Sequence, residues 1–257
     1  MTGLDQFLVV LAGFGAGLLT STVGVASLLS FPILLAVGLP PVVANASNTI
    51  GLVPAGAGAA VGFRRELRLH PGITVRVVLL AGLAGSVGAA LLLALPSGVF
   101  EAVVPWLILG TCVLVGVQPR LSSWLAARRA SSGQPAARVT LSPLTSFFVF
   151  LTGIYGGYFG AGAGVMMIAT LALGLDIDFR FVAALRTLSV MASNVVAGAV
   201  FAVVAEVDWV VVALLGVSSI GGGYLGARIA RRLPATVLRV AVVLAGGTAA
   251  VALLVRP

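Results

Sequence analysis

Long apolar runs separated by short polar gaps carry the main signal of this chain, and two of those runs are interrupted near their centres. The first extends from Phe7 to Val37, roughly 31 residues or about 46 Å as one helix. That is longer than the ~30 Å hydrocarbon core of a bilayer. Small residues from Ser21 to Ser27 divide it into limbs of about 14 and 10 residues, each too short to cross. The second extends from Pro143 to Leu173 and breaks at Gly160 to Gly164. Gly17, Gly24, Gly38 and Leu39 fall on Gly153, Gly160, Gly174 and Leu175 at one constant separation, so the interrupted run is an internal repeat.

The remaining runs read as uninterrupted spans: Ala44–Phe63, Val77–Leu95, Phe100–Val117, Phe181–Ala205, Trp209–Ala227 and Val237–Leu254. Pro40-Pro41 and Pro96-Ser97-Gly98 punctuate them as turns. The longest polar stretch, 118–142, has linker composition around Ser131-Ser132-Gly133-Gln134-Pro135. The chain therefore divides into a first membrane repeat over 1–117, a cytoplasmic linker over 118–142, and a second membrane repeat over 143–257.

Composition settles the solvent. Of 257 residues, 60% are hydrophobic and 9% charged, and the mean hydropathy is +1.19; a soluble domain has no use for so much apolar surface. The net charge of +8 comes from arginines without lysine. Nearly all of them sit in the short gaps, as topology signals do, so no nucleic-acid surface is expected. Cys112 and His70 are each alone, which leaves no disulfide, metal site or cofactor to expect. Met1 to Gln6 shows neither a basic start nor a small-residue cleavage pattern, so no removable signal peptide is expected.

Charge placement decides between two all-α polytopic architectures. If each broken run crosses fully, giving eight spans, the basic gaps at 64–76 and 118–142 lie opposite the basic turn at 228–236, against the positive-inside rule. If each is a re-entrant helical hairpin followed by three transmembrane helices, all the basic gaps share the inner face. The opposite face then receives Asp5, Glu101, Glu206 and Asp208. Three crossings per half invert the second repeat relative to the first. The hairpin architecture is the preferred reading and eight full spans the alternative.

Two re-entrant tips meeting near mid-bilayer would present helix N-termini, with free N–H groups and positive dipole ends, to one cavity. Such a cavity suits a small anion. Gly24, Ser27, Gly160 and Gly162 belong to the breaks, where close backbone approach to a ligand is expected. Arg186 lies about seven residues into its span, roughly 10 Å deep. An intramembrane arginine points to function, and its guanidinium can hold an oxyanion; the structural alternative is that it snorkels to the inner interface. Asn45 and Asn48 occupy the corresponding place in the first half, with Ser47 nearest the position of Arg186. They and Asn194 either donate to the anion or bond between helices. Tyr155 and Tyr158 either line the cavity or pack. Asp176 and Asp178 read as solvated loop charges, with proton coupling as the alternative.

These residues resemble the sulfite exporter TauE/SafE family along most of the chain. The resemblance rests on Gly156-Gly157-Tyr158-Phe159-Gly160-Ala161-Gly162, Val207-Asp208-Trp209, Gly221-Gly222-Gly223-Tyr224-Leu225-Gly226-Ala227-Arg228, Asn45-Ala46-Ser47-Asn48-Thr49 and Arg64-Arg65-Glu66-Leu67. Gly24-Val25-Ala26-Ser27 departs from the family's richer glycine run, and Arg186 stands where the family often carries lysine. The resemblance implies a cytoplasmic-membrane exporter of sulfite, sulfonates or other small organic anions. Its partners would be that anion and the lipid bilayer, with a homo-oligomer left open. An anion channel through the same pore is the second reading. An enzyme is disfavoured, because no His/Cys cluster, paired intramembrane carboxylates or serine–histidine pair is present.

Overall fold

The outer surface of the helices shows which solvent this fold is built for. In the computed structural model, which describes residues 1–22, 24–56, 63–131, 140–229 and 235–255, Leu79 and Leu83 are 59% and 63% exposed on one face of a helix. The opposite face of the same helix buries Val77, Ala81, Ala84 and three glycines. Leucine outside and glycine inside is the arrangement lipid favours.

All regular elements among the described residues are helices: α1 (Gly3–Thr22), α2 (Ser27–Ala36), α3 (Pro41–Gly51), α4 (Arg64–Leu67), α5 (Pro71–Ala94), α6 (Ser97–Ser131), α7 (Pro143–Tyr158), α8 (Ala163–Gly174), α9 (Phe179–Val204), α10 (Trp209–Ile229) and α11 (Ala235–Val255). Four stretches among them are long and apolar enough to cross a membrane: Gly3–Thr20, Pro71–Ala94, Ser97–Arg120 and Phe179–Val204. The protein is an all-α polytopic membrane protein.

Both expected breaks are present and are built alike. Gly24 ends α1 in the left-handed region at φ 81°, its N–H donating to the carbonyl of Leu19 at 2.7 Å. Gly160 ends α7 at φ 79°, its N–H donating to the carbonyl of Tyr155 at 3.0 Å. Leu19 and Tyr155 stand at the same separation as the paired glycines, so one helix-terminating turn is used twice. Neither chain continues straight on. Gly174, the last residue of α8, packs directly on Thr145 in the first turn of α7, so α8 ends beside the start of α7. In the first half, Gly13 packs on Leu215 and Gly17 on Ser219 and Gly223, so α1 runs alongside α10 in the same direction. The N–H of Asp208, just ahead of α10, donates to Ser47 Oγ at 3.0 Å. The opening turns of α3 therefore lie at the end where α10, and with it α1, begins.

The principal helix contacts come in pairs. Helix α1 packs on α10, and its counterpart α7 packs on α5; α3 meets α10 as α9 meets α5; α2 meets α11 as α8 meets α6. Exchanging the two halves maps each of these six contacts onto another. The contacts α6–α11 and α3–α9 map onto themselves. Glycine lets the long pairs approach closely: a β-carbon on Gly157 would overlap the carbonyl of Gly85, and one on Gly222 the carbonyl of Phe14.

Three boundaries differ from those expected. Helix α1 begins at Gly3 and has 20 residues, about 30 Å, so the first limb is longer than the roughly 14 residues expected and, against that expectation, long enough to cross. Its start lies ahead of the apolar run because Thr2 and Asp5 form a reciprocal cap: Thr2 N–H donates to Asp5 Oδ2 at 2.6 Å and Asp5 N–H to Thr2 Oγ1 at 3.3 Å. Helix α6 runs on through Ser131, 35 residues in all, because Leu121, Trp124, Leu125, Ala126 and Ala127 are helix-compatible although the stretch is polar overall. The first part of the expected linker is thus helical, and 132–139 lies outside the described residues. The expected span from Ala44 is interrupted at Leu52, just ahead of Pro54, whose ring and missing N–H work against a continuous ladder; residues 57–62 lie outside the described ones.

Candidate anion-binding site

The two breaks meet. The α-carbon of Gly164, in the first turn of α8, faces the carbonyl of Gly24, 3.0 Å from where a β-carbon would be. Between them is a cavity of about 70 Å³, room for a few waters or one small oxyanion, since a water needs roughly 10–15 Å³ on this measure. Its wall comes from both halves. Leu52, Val53 and Gly56 line it from the first, and Val190, Met191 and Asn194 from the second. Counted from the first residues of α3 and α9, Pro41 and Phe179, these are the same three positions. Gly24 and Gly160, also counterparts, complete the pairing.

Arg186 breaks the symmetry. It is the single charged residue in the described lining, where no carboxylate appears. By the same count its counterpart is Asn48, not Ser47. Its guanidinium lies against Gly24, at 2.5 Å from the place of a β-carbon there. Its one hydrogen bond among the described residues is a long one, from Nη2 to Thr187 Oγ1 at 3.4 Å. The cation thus faces the cavity rather than either membrane surface. A buried cation without an acidic partner is costly, and an anion entering the cavity relieves that cost.

Helix starts add to the positive character. Helices α2 and α8 begin at the breaks without a side-chain cap. The turn bonds there engage Leu28, Leu29, Ala163 and Val165 but leave the N–H groups of Ser27 and Gly164, both in the lining, without a backbone partner among the described residues.

The structure sorts the expected site residues into two groups. Arg186, Asn194, Gly24, Ser27 and Gly160 line the cavity. Asn45, Ser47, Asn48, Gly162 and Tyr158 lie outside that lining. Asn45 Nδ2 donates to the Tyr158 carbonyl at 2.9 Å, Asn48 Oδ1 accepts from Ser30 Oγ at 2.6 Å, and Ser47 Oγ accepts from Asp208 N–H. Gly162, left-handed at φ 76°, packs on Thr111. The Tyr158 ring stands edge-on to Phe100 at 5.6 Å, in a cluster with Phe31 and Phe159. Tyr155 bonds through its hydroxyl to the Ala161 carbonyl. The loop acids act as helix caps: Asp178 Oδ1 accepts from Arg180 N–H, and Asp208 Oδ1 from the N–H groups of Val210 and Val211.

Sequence reasoning missed Thr20 and Thr187 and the apolar wall of Leu52, Val53, Val190 and Met191. The signal that finds the wall is positional: counting both halves from their third-helix starts pairs these residues before any side chain is considered.

A cavity inside a lipid-facing helical bundle, walled by the ends of two broken helices, defines a membrane transporter. The chain belongs to the sulfite exporter TauE/SafE family, whose model matches residues 9–253. It is 28% identical over 248 residues to a "Probable membrane transporter protein ORF9" of a Sinorhizobium species, covering 96% of this chain and 91% of that one. It is 25% identical over 243 residues to a "Probable membrane transporter protein" of Haemophilus influenzae, covering 94% and 92%. No solved structure matches the chain.

Proposed function

We propose that this protein is a secondary transporter that carries a small anion, such as sulfite, a sulfonate or another organosulfur anion, outward across the cytoplasmic membrane. The two halves act as inverted repeats, each a re-entrant hairpin with three crossings, and rock about the cavity to expose it to each side in turn. The anion accepts hydrogen bonds from Arg186, from Asn194 and from the helix starts at Ser27 and Gly164. The observation that carries this reading is the Arg186 guanidinium, set between the two breaks in a lining without a carboxylate among the described residues. The inside-negative membrane potential favours anion exit by about 2.3 kcal/mol per charge per 100 mV, so no nucleotide-driven partner is needed.

Purified protein in liposomes, loaded with sulfite, sulfoacetate or thiosulfate and challenged with the labelled anion outside, tests it. A carrier accumulates label against its gradient by exchange, and a channel only equilibrates it. Absence of exchange for every oxyanion offered would end the proposal.

A further inference from the structure

The two breaks are alike in backbone but not in how they are held. The second is tied to α6. Tyr155 Oη donates to the Ala161 carbonyl at 2.6 Å, and Thr111 Oγ1, 2.8 Å from the Leu107 carbonyl of its own helix, lies 3.1 Å from both the Ala161 carbonyl and Tyr155 Oη. The Thr111 methyl packs on Gly162, 2.7 Å from the place of a β-carbon there. It is tied to α3 as well, by Asn45 Nδ2 on the Tyr158 carbonyl. Thr111 and Asn45 are both 1% exposed, so these are dry bonds.

None of these side chains has a polar counterpart. The residue paired with Tyr155 is Leu19, with Thr111 it is Ala249, and with Asn45 it is Ala183. Thr248, beside Ala249, is exposed and bonds back to its own helix. On the first hairpin, the nearest described side-chain bonds beyond the break are those of Ser30, one turn along α2: its Oγ donates to Asn48 Oδ1 at 2.6 Å and stands 3.4 Å from the Ala26 carbonyl of the same hairpin. The tip at 24–27 rests on van der Waals contact with Arg186 and Gly164.

We propose that Thr111 and Tyr155 are positioning residues that pin the α8 break to α6 as the fixed wall of the anion cavity. The Gly24 break is then the part that moves to admit and release the anion. This rests on reading the Arg186 cavity as the transport site. Helices α6 and α11 pack on each other and form the common frame, to which the second tip is bonded while, among the described residues, 24–27 of the first are not. Of the two breaks the Gly24 one stands nearer the guanidinium: a β-carbon there would lie 2.5 Å from Nη1, one on Gly164 3.7 Å.

Two arms test this in the liposome exchange assay with sulfite as probe, all in a Cys112→Ala background. In the first, Leu28→Cys is combined with Gly246→Cys. A β-carbon at 246 lies 3.1 Å from Leu28 Cδ1 and 3.2 Å from Cγ, close to disulfide reach, and removing Cys112 prevents the competing pair. Oxidation ties the first tip to the frame and should reduce exchange about tenfold or more, with dithiothreitol restoring it; tenfold corresponds to 1.4 kcal/mol. In the second, Tyr155→Phe and Thr111→Val free the second tip. Each should raise the KM for sulfite by roughly five- to tenfold with kcat unchanged, the loss expected for one or two hydrogen bonds. Thr111→Ser should restore the parental KM. A merely structural role would lower the amount of active protein and leave KM alone.

Oxidised Leu28→Cys/Gly246→Cys protein exchanging at the reduced rate would overturn the assignment of the moving tip. A change in kcat without KM in Tyr155→Phe would overturn the positioning role. Failure of the reduced parent to exchange sulfite or any other oxyanion would instead remove the transport reading itself, and this inference with it.

Discussion

Gly24 stands with its α-carbon against the guanidinium of Arg186: a β-carbon at residue 24 would lie 2.5 Å from Nη1 and 3.1 Å from Cζ. The same glycine is left-handed at φ 81°. Gly38 is also left-handed, at φ 91°, but has nothing within contact of its would-be β-carbon. The pair separates backbone strain from site geometry. Gly24→Ala and Gly38→Ala should each lose about 1–3 kcal/mol in thermal unfolding, the range for a non-glycine in this region. Only Gly24→Ala should also lose anion exchange, by about tenfold or more. Equal exchange by the two variants would remove the Gly24–Arg186 contact from the function.

Arg186 has no acid to pair with among the described residues, so its removal should separate stability from function. An isolated charge at a helix centre costs about 2.5–3.5 kcal/mol on insertion scales. Arg186→Met should therefore melt at a higher temperature than the parent in detergent while losing exchange. Arg186→Lys keeps the charge but not the two-pronged donor and should retain part of the activity with a raised KM. Arg186→Met that exchanges normally would place the anion elsewhere. If it melts lower, Arg186 has a structural partner.

Adjacent glycines on α10 give a sharp test of the packing. Gly222 lies against the Phe14 carbonyl, whereas Gly221 faces open space. Gly222→Ala should push α1 from α10 and destabilise by about 1–3 kcal/mol, as overpacking does. Gly221→Ala should be neutral or slightly stabilising through helix propensity. Thermal melts of the two purified variants would show it.

How much of this was legible in the sequence depended on what each residue type can signal. The breaks were legible because glycine and small residues interrupt apolar runs at a constant separation, and Gly24 and Gly160 do close matching turns. Arg186 was legible because charge inside a span is rare. The early start of α1 was missed because hydropathy does not register the Thr2–Asp5 cap. Leu52, Val53, Val190 and Met191 were not singled out, because an apolar residue lining a cavity looks the same as one packed in a core. Asn45 and Asn48 showed that a polar side chain in a span needs a partner but not which one; each meets a neighbouring helix.

The re-entrant reading makes a claim about sidedness that chemical labelling can check. Gly174 packed on Thr145 brings the end of α8 back to the start of α7, and α1 runs parallel to α10, whose start is bonded to α3 at Ser47. If each hairpin returns to the face it left, single cysteines at Thr2 and Pro40 must react from one side of the membrane. Cysteines at Thr140 and Asp176 must react from the other. All four positions are exposed, and Cys112 would be replaced by Ala. Oriented vesicles treated with an impermeant maleimide before and after permeabilisation would assign each site. Eight full spans would instead put Thr2 opposite Pro40 and Thr140 opposite Asp176. The hydrocarbon core is ~30 Å thick, and α2 and α8 have 10 and 12 residues, about 15 and 18 Å. Each second limb thus covers about half the core, the depth of a tip at mid-bilayer, and if both return to the face they left, labelling within each pair falls on one side.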